Sequence, residues 1–276
     1  MPGTSIFAKQ FMAKKKKKNS SGGGLLLVIV LLGGFYFWAT HWMLNKKQKP
    51  APPVVIHLAP IVPKPDAPVH YPIHGIDVSS YQNDIDWSRL RSTRGRPGVG
   101  FVFIKATEGL ESRDKLFPQH WKAAGKANIA RGAYHFFLST RDGVSQALNF
   151  ISLVHLQKGD MPPAVDIEEL YGVRPDSMRA RLRDFLQTVE DHYQVTPVVY
   201  TTATFYNDFL GKGFDRYPLW VASYDSTLQP ALRRSWTFWQ FNNKGKLPGI
   251  GANVDLNAWH SDSASFSSFL QFQSRY

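Results

Sequence analysis

The sequence predicts an α/β fold, a closed TIM-like barrel carried behind a single transmembrane helix. Three observations lead there. From Ile73 onward, apolar strand-like runs alternate with amphipathic helical ones, the pattern of a parallel sheet with helical crossovers. About eight such strands fall within roughly 200 residues, the size of a closed barrel, here with its last helices missing. Ahead of them stands an apolar run of about 20 residues, the length that spans a bilayer. An open doubly wound sheet is the alternative for the body. No G-x-G-x-x-G follows any strand, so a dinucleotide-binding version has little support.

Residues 1–24 form a basic tail with five consecutive lysines at 14–18. The anchor is 25–44, from Leu25 to Leu44, with Trp38 and Trp42 near its far end, where an interfacial aromatic belt belongs. A cleaved signal peptide would have a shorter apolar core and a small-x-small cleavage site. Phe37, two before Ala39, spoils that site. Six lysines precede the span, and Lys46, Lys47 and Lys49 follow it. That asymmetry holds the amino terminus in the cytoplasm of a single-pass protein of the inner or plasma membrane. The body is then periplasmic or extracellular, and the lipid bilayer is one expected partner. Residues 45–72 are proline-rich and read as an extended spacer. His57, His70 and His74 lie in it or at its end, with no Cys or acid cluster beside them, so no metal site is expected.

The body, 73–276, opens with a short strand at 74–80. A clear apolar strand follows at 100–106, then a helical stretch at 117–128 and a strand at 129–137. Asp142 is placed to cap a helix at 142–156. After the strand at 162–168 comes the clearest helix, 176–193. Met178, Leu182, Phe185, Leu186, Val189 and Tyr193 form its apolar stripe, with Asp176 as the expected N-cap. A strand at 196–202 leads to a short helix at 202–210. There the helices stop, and 217–224, 235–241 and 253–259 are strands with little helix between them.

Charge and cysteine count exclude several classes. The formal charge is +12, but residues 1–64 hold ten lysines and no acid, leaving 23 basic against 21 acidic side chains in the rest. The body carries no basic stripe, so no nucleic-acid partner is expected. With no Cys, disulfides, zinc thiolates and a Cys nucleophile are out.

The chemistry concentrates in "PPAVDIEELYG". Side chains alternate along a strand, so Ala164, Asp166 and Glu168 share one face while Val165 and Ile167 share the other. With the aliphatic pair against the helices, both acids point inward at the carboxyl end of a strand, where barrel enzymes keep their chemistry. At roughly 7 Å apart along the strand, like charges push one pKa up. A protonated acid beside an ionised one suits cleavage of a glycosidic bond. D-x-E alone is common, but it has company. Asp77 ends the first strand on the face opposite Ile76 and Val78, and Asp255 sits in the last strand. Tyr134, Tyr200, Trp220, Tyr224 and Trp239 lie near strand ends, where sugar faces could pack; core packing is the competing role for each.

In order along 73–259, "GIDVSSYQNDIDW", "FVFIKATEG", "RGAYHFF", "AVDIE", "VVYT", "LWVASY", "FWQF" and "VDLN" resemble glycoside hydrolase family 25, the Chalaropsis-type lysozymes or N-acetylmuramidases. The resemblance implies a barrel of five β/α units followed by three strands. It implies hydrolysis of the β-1,4 bond between N-acetylmuramic acid and N-acetylglucosamine in peptidoglycan, with glycan strands as partner and no cofactor. It makes Glu168 the general acid and Asp166 its partner carboxylate. Asp77 joins that catalytic set, and Asp255 is a further acid of the floor. Tyr134 and Tyr200 match groove aromatics, and with Trp220, Tyr224 and Asp255 they make up the expected substrate-binding set. The D-x-E is similar to that of chitinases, which implies retention, with the substrate's own N-acetyl group attacking; direct attack by an Asp is the rival. Lys105 is expected in an inward ion pair, Glu108 at a loop, and His135 in the core. The alternative function is a non-catalytic wall-binding or scaffold protein on the same fold.

Overall fold

The structure, a computed structural model, describes residues 71–91, 98–224 and 230–272. The basic tail, the 25–44 anchor and nearly all of the spacer lie outside them, and the transmembrane expectation with them. No helix among the described residues is long and apolar enough to cross a membrane.

Among the described residues, eight strands close a barrel. They are β1 (His74–Val78), β2 (Phe101–Glu108), which carries a short hairpin partner β3 (Ser112–Arg113), β4 (Ala130–Phe136), β5 (Ala164–Asp166), β6 (Val198–Thr202), β7 (Leu219–Ala222), β8 (Phe238–Gly245) and β9 (Val254–Trp259). Pairing runs β1-β9-β8-β7-β6-β5-β4-β2, and β1 pairs with β2 to close the ring. Pairs within the ring are parallel except those of β9, which runs antiparallel to both its barrel neighbours. Helices α1 (Trp87–Leu90), α2 (Phe117–Lys126), α3 (Gly143–Ile151) and α4 (Pro175–Tyr193) follow the first four barrel strands. After β6 comes α5 (Ala203–Phe205), continued by a π turn and a 3-10 turn. Five β/α units followed by three strands is therefore the observed architecture.

Two expectations need correction. Asp176 does not cap α4. The N-cap is Arg174, with Pro175 in the first turn, where a missing N–H costs nothing; Asp176 pairs with Arg179 at 2.5 Å. Nor do the helices end at β6: α6 (Ser263–Phe272) follows β9. Asp142, by contrast, caps α3 by accepting from the Ser145 N–H at 2.8 Å.

Strand alternation divides the core into two layers. Outward residues such as Ile76, Val102, Val165, Val199 and Val221 pack under the helices with the α4 stripe Met178, Leu182, Phe185, Leu186 and Val189. The inward set fills the barrel. Phe101, Phe238 and Trp259 close its amino-terminal end, where Phe266 of α6 sits against Phe101 and Trp259 at 5.8 and 5.3 Å. Above them Phe103 stacks on Trp220 at 4.4 Å. Glycine makes the room: a Cβ at Gly75 would lie 2.3 Å from the Phe101 ring, and one at Gly132 would lie 2.8 Å from Phe103. With the lower barrel filled by rings, the remaining inward positions form a floor open at the carboxyl end of the strands.

Candidate active site

Asp77 is the hub of that floor. It points inward from β1 between outward Ile76 and Val78, and its Oδ2 accepts from Gln240 Nε2 at 2.8 Å and Asn257 Nδ2 at 2.7 Å. Each amide is oriented from behind. Gln240 Oε1 accepts from the hydroxyls of Tyr200 at 2.9 Å and Tyr224 at 2.6 Å. Asn257 Oδ1 accepts from the Trp220 indole N–H at 2.7 Å. Since both amide oxygens are engaged by donors, both NH2 groups must face Asp77. Burial, then the charge of Asp255, pushes the Asp77 carboxyl well above the usual range, and the two amides oppose that push.

Gln240 and Asn257 were not among the expected site residues. The signal was present: each is a polar amide at an inward position of a strand, where a buried polar group needs partners. Seeing it required knowing the face of β8 and β9.

Asp166 and Glu168 leave the end of β5 on the inward face. Asp166 is buried, and its Oδ1 has no hydrogen-bond partner among the described residues. Burial drives its pKa up, the Glu168 and Asp77 charges add to that, and Lys105 opposes it. Glu168 is half-buried, closer to the mouth. Burial raises its pKa too, while Asp166 beside it pulls the other way. Asp255, reaching in from β9, is pushed up to about 6 by burial and the Glu168 charge. These acids cannot all ionise near neutrality, so the floor retains protons that a solvated carboxylate would have lost.

The aromatics divide. Tyr134 is half-buried, and burial, with Asp77 and Asp166 nearby, raises its hydroxyl far above the usual range. Tyr200 is buried and braces Gln240. Tyr224, at 45% exposure, reaches the mouth. One expectation is corrected, at Trp220, and Trp239 takes the core-packing role of the two left open for it. Trp220 is 1% exposed and lies beneath the floor, offering no face to a ligand and acting through Asn257. Trp239 points outward, packs on Trp236 and Phe241, and donates to the Ser223 carbonyl at 2.8 Å. Lys105 pairs with Glu108 at 2.7 Å over the Phe136 ring. His135 lies in the outer layer between Thr107 and Gln146, its pKa lowered by burial to about 3. Among the described residues no group of His, Cys, Asp and Glu is arranged to hold a metal.

A deeply buried carboxyl beside one at the mouth can share a proton and pass it to a bound group. Known proteins carry the same body. The model for "Glycosyl hydrolases family 25" matches residues 76–250. Lysozyme M1 of Streptomyces globisporus is 33% identical over 207 residues, covering 70% of this chain and 69% of its own. The uncharacterized protein YegX of Escherichia coli K12 is 35% identical over 204 residues, covering 74% and 75%. A family 25 glycosyl hydrolase structure from Bacillus anthracis superimposes with a TM-score of 0.67 at 33% identity, over 72% of this chain and 94% of that one.

Proposed function

The chain belongs to glycosyl hydrolases family 25 and is a glycoside hydrolase, and from that premise we propose a membrane-tethered muramidase. It cleaves the β-1,4 bond between N-acetylmuramic acid and N-acetylglucosamine in peptidoglycan. The observation that carries this reading is the contrast within one strand end: Asp166 buried, Glu168 half-open to the mouth.

Glu168 is the general acid. It gives its proton to the glycosidic oxygen as the bond to the anomeric carbon breaks. Burial and the neighbouring acids push the Asp166 carboxyl up, which disfavours the carboxylate that a direct attack would need. Attack therefore falls to the substrate's own N-acetyl carbonyl oxygen, with Asp166 orienting that group. Water then opens the cyclic intermediate, Glu168 takes a proton from it, and configuration at the anomeric carbon is retained. Asp77, fixed by Gln240 and Asn257, contributes to the upward push on the Asp166 carboxyl.

The tether rests on the apolar run at 25–44 behind its lysine block. It places the amino terminus in the cytoplasm and the barrel outside the membrane, facing glycan.

Glu168→Gln tests the assignment. The variant should fold as the parent does and digest purified sacculi about 10²–10⁴-fold more slowly. Mass spectrometry of the parent's fragments should find muramic acid at the new reducing ends. Undiminished digestion by the variant, or glucosamine at those ends, would overturn the reading.

A further inference from the structure

We propose that Gln240 is a positioning residue that ties the sugar-binding side of the mouth to the acid floor, holding Tyr224 with its amide oxygen and Asp77 with its amide N–H. The proposal rests on the reading that this mouth takes a glycan strand. It names the residue through which contact with that strand reaches Asp77.

Two amides donate to Asp77 Oδ2, Gln240 at 2.8 Å and Asn257 at 2.7 Å. They are register partners on β8 and β9, and β8 bulges directly after Gln240. A bulge re-aims the side chains beside it. What separates the two amides is the partner behind each. Asn257 is held by the indole of the buried Trp220, so no ligand at the mouth acts through it. Gln240 is held by two hydroxyls. Tyr200 is buried, with its ring 4.5 Å from that of Trp220, and it steadies the amide from within. Tyr224 donates at 2.6 Å and is half-exposed.

Backbone contacts fix where Tyr224 stands. Ala222 ends β7 as the register partner of Gln240, and the Ser223 N–H donates to the Gln240 carbonyl at 3.1 Å. Tyr224 therefore leaves the carboxyl end of β7, at the open end of the barrel, with its hydroxyl two hydrogen bonds from Asp77. Its hydrogen is committed to Gln240, so towards a ligand its oxygen can only accept. A sugar hydroxyl or an amide N–H is the group it takes. Donation runs one way, from Tyr224 to Gln240 to Asp77. Asp77 shares the floor with Asp255 of β9, Asp166 and Glu168 beside β5, Tyr134 of β4, Tyr200 of β6 and Lys105 of β2. Among these groups, a carboxyl in place of the Gln240 amide adds an acid and removes a donor.

The test is steady-state cleavage of soluble, uncross-linked glycan strands by the full chain. Tyr224→Phe should raise KM about fivefold and leave kcat in place. Gln240→Met should raise KM by as much and lower kcat as well. The double variant should show no higher KM than either single one, because both act through one contact. Gln240→Glu keeps an acceptor for the tyrosines and loses the donor to Asp77. It should hold KM and move the pH profile of kcat upward by about one unit. Asn257→Asp should move the profile in the same way without touching KM. An unchanged KM in Tyr224→Phe overturns the proposal, as do KM effects that multiply in the double variant. A pH profile unmoved by Gln240→Glu overturns it too, making Gln240 a structural residue. If Gln240→Met does not fold, Tyr224→Phe and Gln240→Glu decide alone. A parent that leaves the strands intact overturns the muramidase reading and this proposal with it, whereas the other outcomes overturn the proposal alone.

Discussion

At Asp255 the balance between burial and charge can be read directly. An ordinary aspartate ionises near pH 4, whereas this one is pushed up to about 6. A carboxyl whose folded pKa is raised binds its proton more tightly in the native state. Its contribution to stability is then complete below the unfolded pKa and is lost as pH climbs through the folded one. Asp255→Asn removes that loss. Thermal melts should show the variant more stable than the parent at pH 8, with the gap closing as pH falls from about 6 towards 4. A gap that widened on acidification would mean that Asp255 is held by partners as an anion. The residue scale also shows what the sequence carried. Period-2 alternation sufficed to send Asp77 and Asp166 inward, because each sits between aliphatic neighbours that must face the helices, and Glu168 follows on the face of Asp166. It did not place Trp220, and it did not decide between the two roles left open for Trp239. A ring near a strand end reads alike whether it points outward, lies under the floor or lines the mouth, and only register and depth separate these. Gln240 and Asn257 escaped for the related reason that an inward amide looks like a surface one until its strand's face is known.

Between elements, the tightest constraint lies where α3 meets α4. A Cβ on Gly143 would fall 1.9 Å from the Arg181 carbonyl oxygen, so the helices cross with backbone against backbone. Alanine normally favours a helix over glycine by about 1 kcal/mol in its interior, and by less in a first turn. The overlap acts against it, and overpacking of this kind costs typically about 1–3 kcal/mol. Gly143→Ala should therefore lower the denaturant midpoint without changing the slope; an unchanged or higher midpoint would mean that the helices can separate freely. Helices of this molecule were legible in proportion to their amphipathicity. The α4 stripe was plain because five of its members are buried under the barrel wall. Its start was misjudged because Asp176 resembles a cap, while Pro175 sets the first turn one residue earlier. The last helix was missed because serines dominate 263–268. Yet Phe266, Phe269 and Leu270 follow the 3–4 spacing of a buried face, and Phe266 packs against the rings that close the amino-terminal end of the barrel.

For the whole molecule, the division of charge separates two explanations of membrane association. Ten lysines precede residue 65, while the remainder is nearly balanced at 23 basic to 21 acidic residues. If the amino-terminal segment were held only by lysine against anionic lipid, salt would release the protein, because at about 1 M the Debye length falls to about 3 Å. The proposed insertion of 25–44 is apolar and indifferent to screening. The full chain should therefore stay in the membrane pellet through a high-salt wash and leave it only with detergent, whereas a chain beginning at residue 71 should be soluble and still digest purified sacculi. Release of the full chain by salt alone would sink the anchor and leave the hydrolase intact. The spacer then sets where cleavage can occur. Deleting half of that spacer should leave digestion of free sacculi unchanged and reduce digestion of wall in place around the cell. Equal loss in both assays would instead mean that the spacer contributes to the fold of the barrel, with which Tyr71 already packs through Trp236 at 5.1 Å.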